Sequence, residues 1–264
     1  MAGKLFDLTG KVAVVTGAAR GLGRAMSLAL AEHGADLVLV DLNGEGAQDT
    51  AEQIKSLGRR ALPMVVNMTD TAQVSALFSK VDTEFGRIDF LGNVAGDALR
   101  GRPESIPLED VRRTIENLVI TRFFACQEAG KRMLAQKSGS IVSIGSIASV
   151  TALGRGHIAY SMGMGGVVQM TRELSTEWSG RGVRVNAILP AQVVNPDLEQ
   201  RMTADPAMRT KFLSGIPAGR MGTPDDIRGL SVFLASDASR WITGAIIPMD
   251  GGNLAMNAGG SLSW

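Results

Sequence analysis

Residues 16–23 read Thr16-Gly17-Ala18-Ala19-Arg20-Gly21-Leu22-Gly23. The glycine spacing suits one task, bringing backbone close to a phosphate. Gly17 permits a tight turn, while Gly21 and Gly23 allow close approach to a pyrophosphate and close helix–strand packing. A helix starting there offers unpaired N–H groups and the positive end of its dipole. Asp41 lies 18 residues beyond Gly23. A carboxylate at that distance can accept hydrogen bonds from ribose hydroxyls and repel a 2′-phosphate, which favours NAD over NADP. Arg20 points the other way, because a guanidinium can pair with that phosphate. Asp41 outweighs it, since phosphate against carboxylate is a direct like-charge penalty.

Such a turn needs a strand before it and a helix after it. Apolar, β-branched runs fall at 11–16, 36–40, 61–66, 88–92, 139–144, 183–189 and 245–248. Helical patterns fall between them at 22–33, 46–57, 71–85, 108–135, 159–179 and 224–234. This alternation predicts parallel βαβ units: one α/β domain over 1–264, a Rossmann-type doubly wound sheet of about seven strands with helices on both faces. Strands covered on both faces read as continuous apolar runs, as 36–40 does. The segment 191–220, rich in Met, Pro and Asp, breaks the rhythm and reads as a substrate lid.

Composition removes other classes. The 264 residues carry a net charge of +1, so there is no basic field for nucleic acid. No apolar run reaches the roughly 18 residues of a membrane span. The first ten residues hold no signal-peptide core; the expectation is a soluble, cytoplasmic protein. The single cysteine, Cys126, excludes an intrachain disulfide and reads as a core residue, and no metal site is expected.

With these elements in place, the chain resembles the short-chain dehydrogenase/reductase family along nearly its whole length. The glycine turn has that family's TGxxxGxG spacing. Asn93-Val94-Ala95-Gly96 is similar to its Asn-Asn-Ala-Gly, and Asn117 falls where it keeps an Asn in the fourth helix. Ser146 follows the fifth strand, Tyr160 comes 14 residues later, and Arg184–Pro190, Ile242-Thr243-Gly244 and Met249–Gly252 complete the match. The resemblance implies an NAD(P)-dependent alcohol dehydrogenase or carbonyl reductase. In it Tyr160 is the general acid/base, Ser146 holds the substrate oxygen and Asn117 supports a proton-carrying water chain. Besides the glycine turn with Arg20 and Leu22, it lays Asp41, Leu42, Asn67 and Met68 along the adenosine half. Asn93, Ala95, Gly96, Tyr160, Pro190 and Val193 fall along the rest. It also implies a homotetramer. The tail 253–264 ends in an aromatic, Trp264, and is expected to dock on a neighbouring subunit.

One departure concerns the chemistry. The family places a lysine four residues after the tyrosine, where an ammonium favours the phenolate and grips the nicotinamide ribose; here the residue is Met164. A thioether carries no charge and accepts hydrogen bonds only weakly. Losing about 2 units of pKa depression corresponds to about 2.7 kcal/mol, or about 100-fold in rate. Weakened or disabled turnover is therefore expected, with Met164→Lys restoring it. A dinucleotide-binding pseudoenzyme and a non-redox lyase or aldolase are the alternatives. Arg155 and His157 precede the tyrosine in a loop, and Arg172 is too far along the helix. Val94, Ala191, Asn195 and Asn67 are smaller departures, at positions where the family usually has Asn, Gly, Thr and Asp. Leu153, Val193, Met202 and Met208 suggest an apolar substrate pocket, with Arg100, Arg102 and Arg155 exposed near its mouth.

Overall fold

β1 (Val12–Thr16) is buried along its whole length, as an apolar strand covered on both faces must be. The computed structural model describes residues 5–256. Its other strands are β2 (Asp36–Asp41), β3 (Ala61–Val65), β4 (Phe90–Asn93), β5 (Gly139–Ile144), β6 (Val183–Pro190) and β7 (Ile246–Met249). All pair in parallel in the order β3-β2-β1-β4-β5-β6-β7. The chain runs outward from β1 to β3, then returns to β4 on the other side of β1. The carboxyl ends of β1 and β4 therefore flank a topological switch point, where an open parallel sheet leaves a crevice.

The helices are α1 (Gly21–Glu32), α2 (Gly44–Ser56), α3 (Thr71–Phe85), α4 (Leu108–Ile115), α5 (Thr121–Gln136), α6 (Ile158–Trp178), α7 (Pro196–Ala204), α8 (Pro206–Leu213) and α9 (Arg228–Ala235). Met26 and Leu30 of α1, Ile54 of α2 and Leu234 of α9 pack on one face of the sheet. Phe78 of α3, Met133 of α5 and Leu174 of α6 pack on the other. These are the two layers the sequence pattern predicts.

Two departures have local causes. The single helix expected over 108–135 contains a π turn, Glu116–Ile120, between α4 and α5. The Thr121 hydroxyl donates toward the carbonyls of Glu116 (2.6 Å) and Asn117 (2.9 Å), competing for oxygens that an uninterrupted α-helix would bond. Single π turns of this kind are frequent at functional sites. The segment 191–220 holds two helices rather than a bare loop. Asn195 and Asp205 cap them by accepting from the N–H groups of Leu198 and Ala207, with Pro196 and Pro206 in the first helical position. Among the described residues, no helix is long and apolar enough to cross a membrane, and no His, Cys, Asp and Glu side chains cluster to hold a metal.

Candidate active site

The glycine turn is built to the limit of backbone contact. Gly17 has φ +69°, and a Cβ there would lie 3.1 Å from Ala95 N. At Gly23 a Cβ would sit 2.0 Å from the Gly17 carbonyl oxygen, so only glycine lets α1 start this close to β1. Thr16, at the end of β1, ties the two sides of the crevice: its hydroxyl accepts from the N–H groups of Val94 (3.0 Å) and Ala95 (3.1 Å). Arg20 precedes α1 without capping it through its side chain, which leaves the first-turn N–H groups for a ligand. The residues present therefore fit a pyrophosphate.

A cleft of about 680 Å³ opens over this turn. Its lining includes Gly17, Arg20, Gly21, Leu22, Gly23, Asp41, Leu42, Asn67, Met68, Ala95 and Gly96, and on the far side Asn117, Val193 and Asn195. Asp41 is held on both oxygens: Oδ2 accepts from Ala19 N (3.0 Å) and Oδ1 from Asn43 N (2.9 Å). One carboxylate thus braces the glycine turn and presents a fixed negative charge to the cleft. Leu42 beside it is 69% exposed, an apolar surface in reach of a planar base. Asn67 is engaged locally, its Oδ1 accepting from Thr69 N and Oγ1.

Three residues expected at the cofactor, Asn93, Pro190 and Tyr160, do not line the cleft. Asn93 is buried, and its amide donates to the Arg122 carbonyl oxygen (3.3 Å) and toward Cys126 Sγ (3.2 Å). It supports the floor from below. Pro190 is buried in β6, paired with Met249. The Asn93 and Pro190 side chains complete the sheet that holds the cleft.

The expected catalytic side chains come from three adjoining elements. Ser146 follows β5 and caps the short helical turn Ile147–Ser149: Oγ accepts from Ala148 N (3.1 Å), and the Ser146 N–H donates to Ser149 Oγ. An accepting hydroxyl still has its own proton to donate. That turn packs on α6, whose first helical turn carries Tyr160. Asn117 sits in the π turn, its Oδ1 facing the Asp97 N–H at 3.4 Å. Gly163 of α6 lies against Leu118, where a Cβ would be 3.0 Å from Leu118 Cδ1, so α6 and the π turn meet face to face. Met164, one turn beyond Tyr160, is 4% exposed.

Above Tyr160 the chain is strapped. Gly101 N donates to Gly156 O at 3.0 Å, and Arg155 holds φ +55° with its guanidinium over the Phe212 ring, 5.3 Å from the centroid. His157 meets Tyr160 edge to face, with centroids 6.0 Å apart. Its Nδ1 donates to the Gly154 carbonyl (2.7 Å), and burial, with the charges of Arg100 and Arg155, holds it below the usual imidazole value.

The apolar pocket expected from the lid methionines is corrected. Leu198, Met202, Ile216 and Met221 form a small core within the segment, with Met208 and Phe212 against it. Met202 and Met208 face their own helices, and neither lines the cleft.

Residues 17–253 match the family model described as enoyl-(acyl carrier protein) reductase. A D-threitol dehydrogenase from Mycolicibacterium smegmatis is 42% identical over 247 residues, 94% of each chain. The chain belongs to the short-chain dehydrogenase/reductase family. It is an NAD(P)-dependent oxidoreductase of that type. An NAD-dependent glycerol dehydrogenase from Listeria innocua is 37% identical over 94% of this chain and 96% of its own. The structure of a protein from Beutenbergia cavernae, described as an NAD(P)-dependent gluconate 5-dehydrogenase and carrying NADP, superposes with a TM-score of 0.88 at 35% identity. That match covers 95% of this chain and 99% of the other.

The sequence reading missed Arg122. It is a buried arginine directly under Gly96: a Cβ on Gly96 would lie 3.0 Å from Arg122 Nη2. A signal was available, because position 122 shares the i, i+4 stripe of Leu118, Cys126 and Ala129, all buried.

Proposed function

We propose that the protein interconverts small polyhydroxylated alcohols and their ketones, with NAD as the preferred dinucleotide. The fixed Asp41 carboxylate carries the cofactor preference. The polar substrate side is supported by Asp97, Asn117 and Asn195 in the cleft lining and by the inward turn of the lid methionines.

The bound dinucleotide supplies the hydride acceptor or donor. Tyr160 takes the proton from the substrate hydroxyl in the oxidative direction and returns it in the reductive one. Ser146 donates its hydroxyl proton to the substrate oxygen. Asn117, in the π turn, stands on the path by which the proton leaves. Residues 191–220 act as the lid.

Calorimetric titration with NAD and with NADP tests the preference. NAD is expected to bind at least about tenfold more tightly, and Asp41→Asn, which removes the charge but keeps an acceptor for Ala19 N, is expected to narrow that gap mainly by improving NADP. Equal affinities in the unaltered protein overturn the preference.

The exposed apolar side chains of α4, α5 and α6, among them Leu108 (62%), Phe123 (42%) and Met162 (53%), support a homotetramer. Phe123→Asp is expected to shift the species seen by light scattering to a smaller assembly; an unchanged mass removes that face from the interface. The tail 253–264, expected to dock on a neighbour, extends beyond the described residues. A cytoplasmic location fits the cofactor and remains part of this reading.

A further inference from the structure

Arg100 and Arg155 are exposed, and among the described residues neither forms an ion pair. Single exposed arginines are ordinary. These two are held side by side. Gly101 N donates to Gly156 O at 3.0 Å, and Gly101 pairs with His157 in a parallel bridge. A Cβ on Gly156 would lie 3.1 Å from Gly101 O. Arg100 is the residue before Gly101 and Arg155 the residue before Gly156, so both leave backbone segments about 5 Å apart. Like charges facing each other across such a pair repel. The carboxylates of this stretch do not offset that. Asp97 accepts from its own neighbour, Ala98 N (2.8 Å), and lines the dinucleotide cleft. Glu104 is exposed beyond Arg102 and forms no ion pair.

Arg155 also bears backbone strain. Its φ is +55°, a left-handed conformation that glycine takes freely and a long side chain resists. Gly154 and Gly156 on either side have positive φ as well, yet the residue between them is an arginine. Strain of this kind clusters at ligand sites. The Arg155 guanidinium sits over the Phe212 ring, 5.3 Å from its centroid. A guanidinium held over a ring face keeps its N–H forks free for a ligand, and such forks match the paired oxygens of a carboxylate or a phosphate. We propose that Arg100 and Arg155 receive an oxyanion, a carboxylate or a phosphate, at one end of the substrate, so that the alcohol oxidised here is a short polyhydroxylated acid or phosphate ester rather than a neutral polyol.

The place suits this. His157 meets the Tyr160 ring edge to face, centroids 6.0 Å apart, and its backbone is bridged to Gly101. A short carbon chain therefore reaches from the arginines past the imidazole to the phenol. Burial, and after it the charges of Arg100 and Arg155, hold His157 below the usual imidazole value. The ring is neutral at neutral pH, and the positive charge at this mouth belongs to the two guanidiniums.

This inference rests on the polyol reading above, and the test separates the two. NADH-loaded protein cannot oxidise an alcohol, so calorimetry on it reads binding alone. Two pairs of probes differ at one end only: threonate against threitol, and glycerol 3-phosphate against glycerol. In at least one pair the anion is expected to bind about tenfold or more tightly, and the pair that shows the gap identifies the oxyanion. Arg100→Gln and Arg155→Gln are each expected to cut that anion-to-neutral ratio by about threefold or more, and Arg155→Lys by less than Arg155→Gln. No gap in either pair overturns the proposal, and so does a ratio that neither glutamine substitution changes.

Should Arg155→Gln fail to fold, Arg155→Gly decides, since glycine suits φ +55°. It is expected to cut the ratio as far, and an unchanged ratio overturns the proposal. The gap is also expected to shrink as salt rises from about 0.05 to about 0.5 M, because both arginines are exposed. A gap indifferent to salt overturns the proposal. Turnover with NAD tests the underlying reading. Neutral polyols bound and oxidised as readily as the anions overturn the anion receptor and leave the polyol reading standing. An anion bound selectively, with none of the four probes oxidised, overturns the polyol reading instead.

Discussion

Tyr160→Phe is expected to lower turnover by about a thousandfold while leaving dinucleotide binding and folding intact. The change removes one oxygen. Positioned proton transfer contributes about 10²- to 10⁴-fold, and a thousandfold loss is about 4 kcal/mol in the barrier. The structure predicts little other damage. The ring's described contact is edge-on with His157, which phenylalanine keeps. Asp41 and the glycine turn do not involve α6. The measurement is NADH formation from a polyol beside NAD calorimetry and a thermal melt. A loss below tenfold removes Tyr160 from the proton-transfer role.

Gly23→Ala is expected to damage both stability and dinucleotide binding. Its Cβ would sit 2.0 Å from Gly17 O and 2.6 Å from Gly17 C, whereas non-bonded carbons rest at about 3.5 to 4.0 Å. Both obstacles are backbone. The turn cannot retreat, because Gly17 already lies against Ala95 N, and that N–H is fixed by Thr16 Oγ1. α1 must back away, carrying its free N–H groups out of reach of the pyrophosphate. The expectation is a loss of about 2–3 kcal/mol of stability, typical of overpacking, and a roughly hundredfold loss of NAD affinity, about 2.7 kcal/mol. Gly21→Ala is the control. It has φ +55° but open space around the Cβ position, so it bears only backbone strain of about 1 kcal/mol. If both variants behave alike in calorimetry and thermal melts, the steric account is wrong.

The sheet was legible because parallel strands, buried on both faces, print themselves as unbroken apolar runs such as 36–40. The glycine turn was legible because backbone contact at Gly23 tolerates no other residue. Two further features left signals that went unread. Asn195-Pro196 and Asp205-Pro206 are a cap followed by proline, the usual opening of a helix, yet the surrounding mixed composition reads as loop. The buried side of the lid methionines follows from those helices and cannot be seen without them. Arg122 was hidden by a sound rule, that arginines lie outside. Its helical phase, on the buried stripe of Leu118, Cys126 and Ala129, contradicts that rule. The π turn at Asn117 depends on one hydroxyl, at Thr121, competing for carbonyls, and hydrophobic periodicity does not register such competition.

The segment over the cleft has a stem as well as a core. Gln192 O accepts from Gly222 N at 2.9 Å, and Gly222 O accepts from Val194 N at 2.8 Å. The two ends of the excursion are thus pinned together within one short bridge, while Leu198, Met202, Ile216 and Met221 fill its interior. Loop-closure entropy is already spent at the stem, and the inner apolar surface stays dry whichever way the body points. On the proposed lid reading, swinging aside should then behave as the movement of a small solid, with almost no heat-capacity change, since melting these two helices would wet their core and raise it. If the segment opens as a lid, it has to release the Arg155–Phe212 contact and the ties of Gly215 O to Asn253 Nδ2 and of Ala218 N to Gly251 O, so the energy of opening sits in a few nameable contacts at its edge rather than in its core.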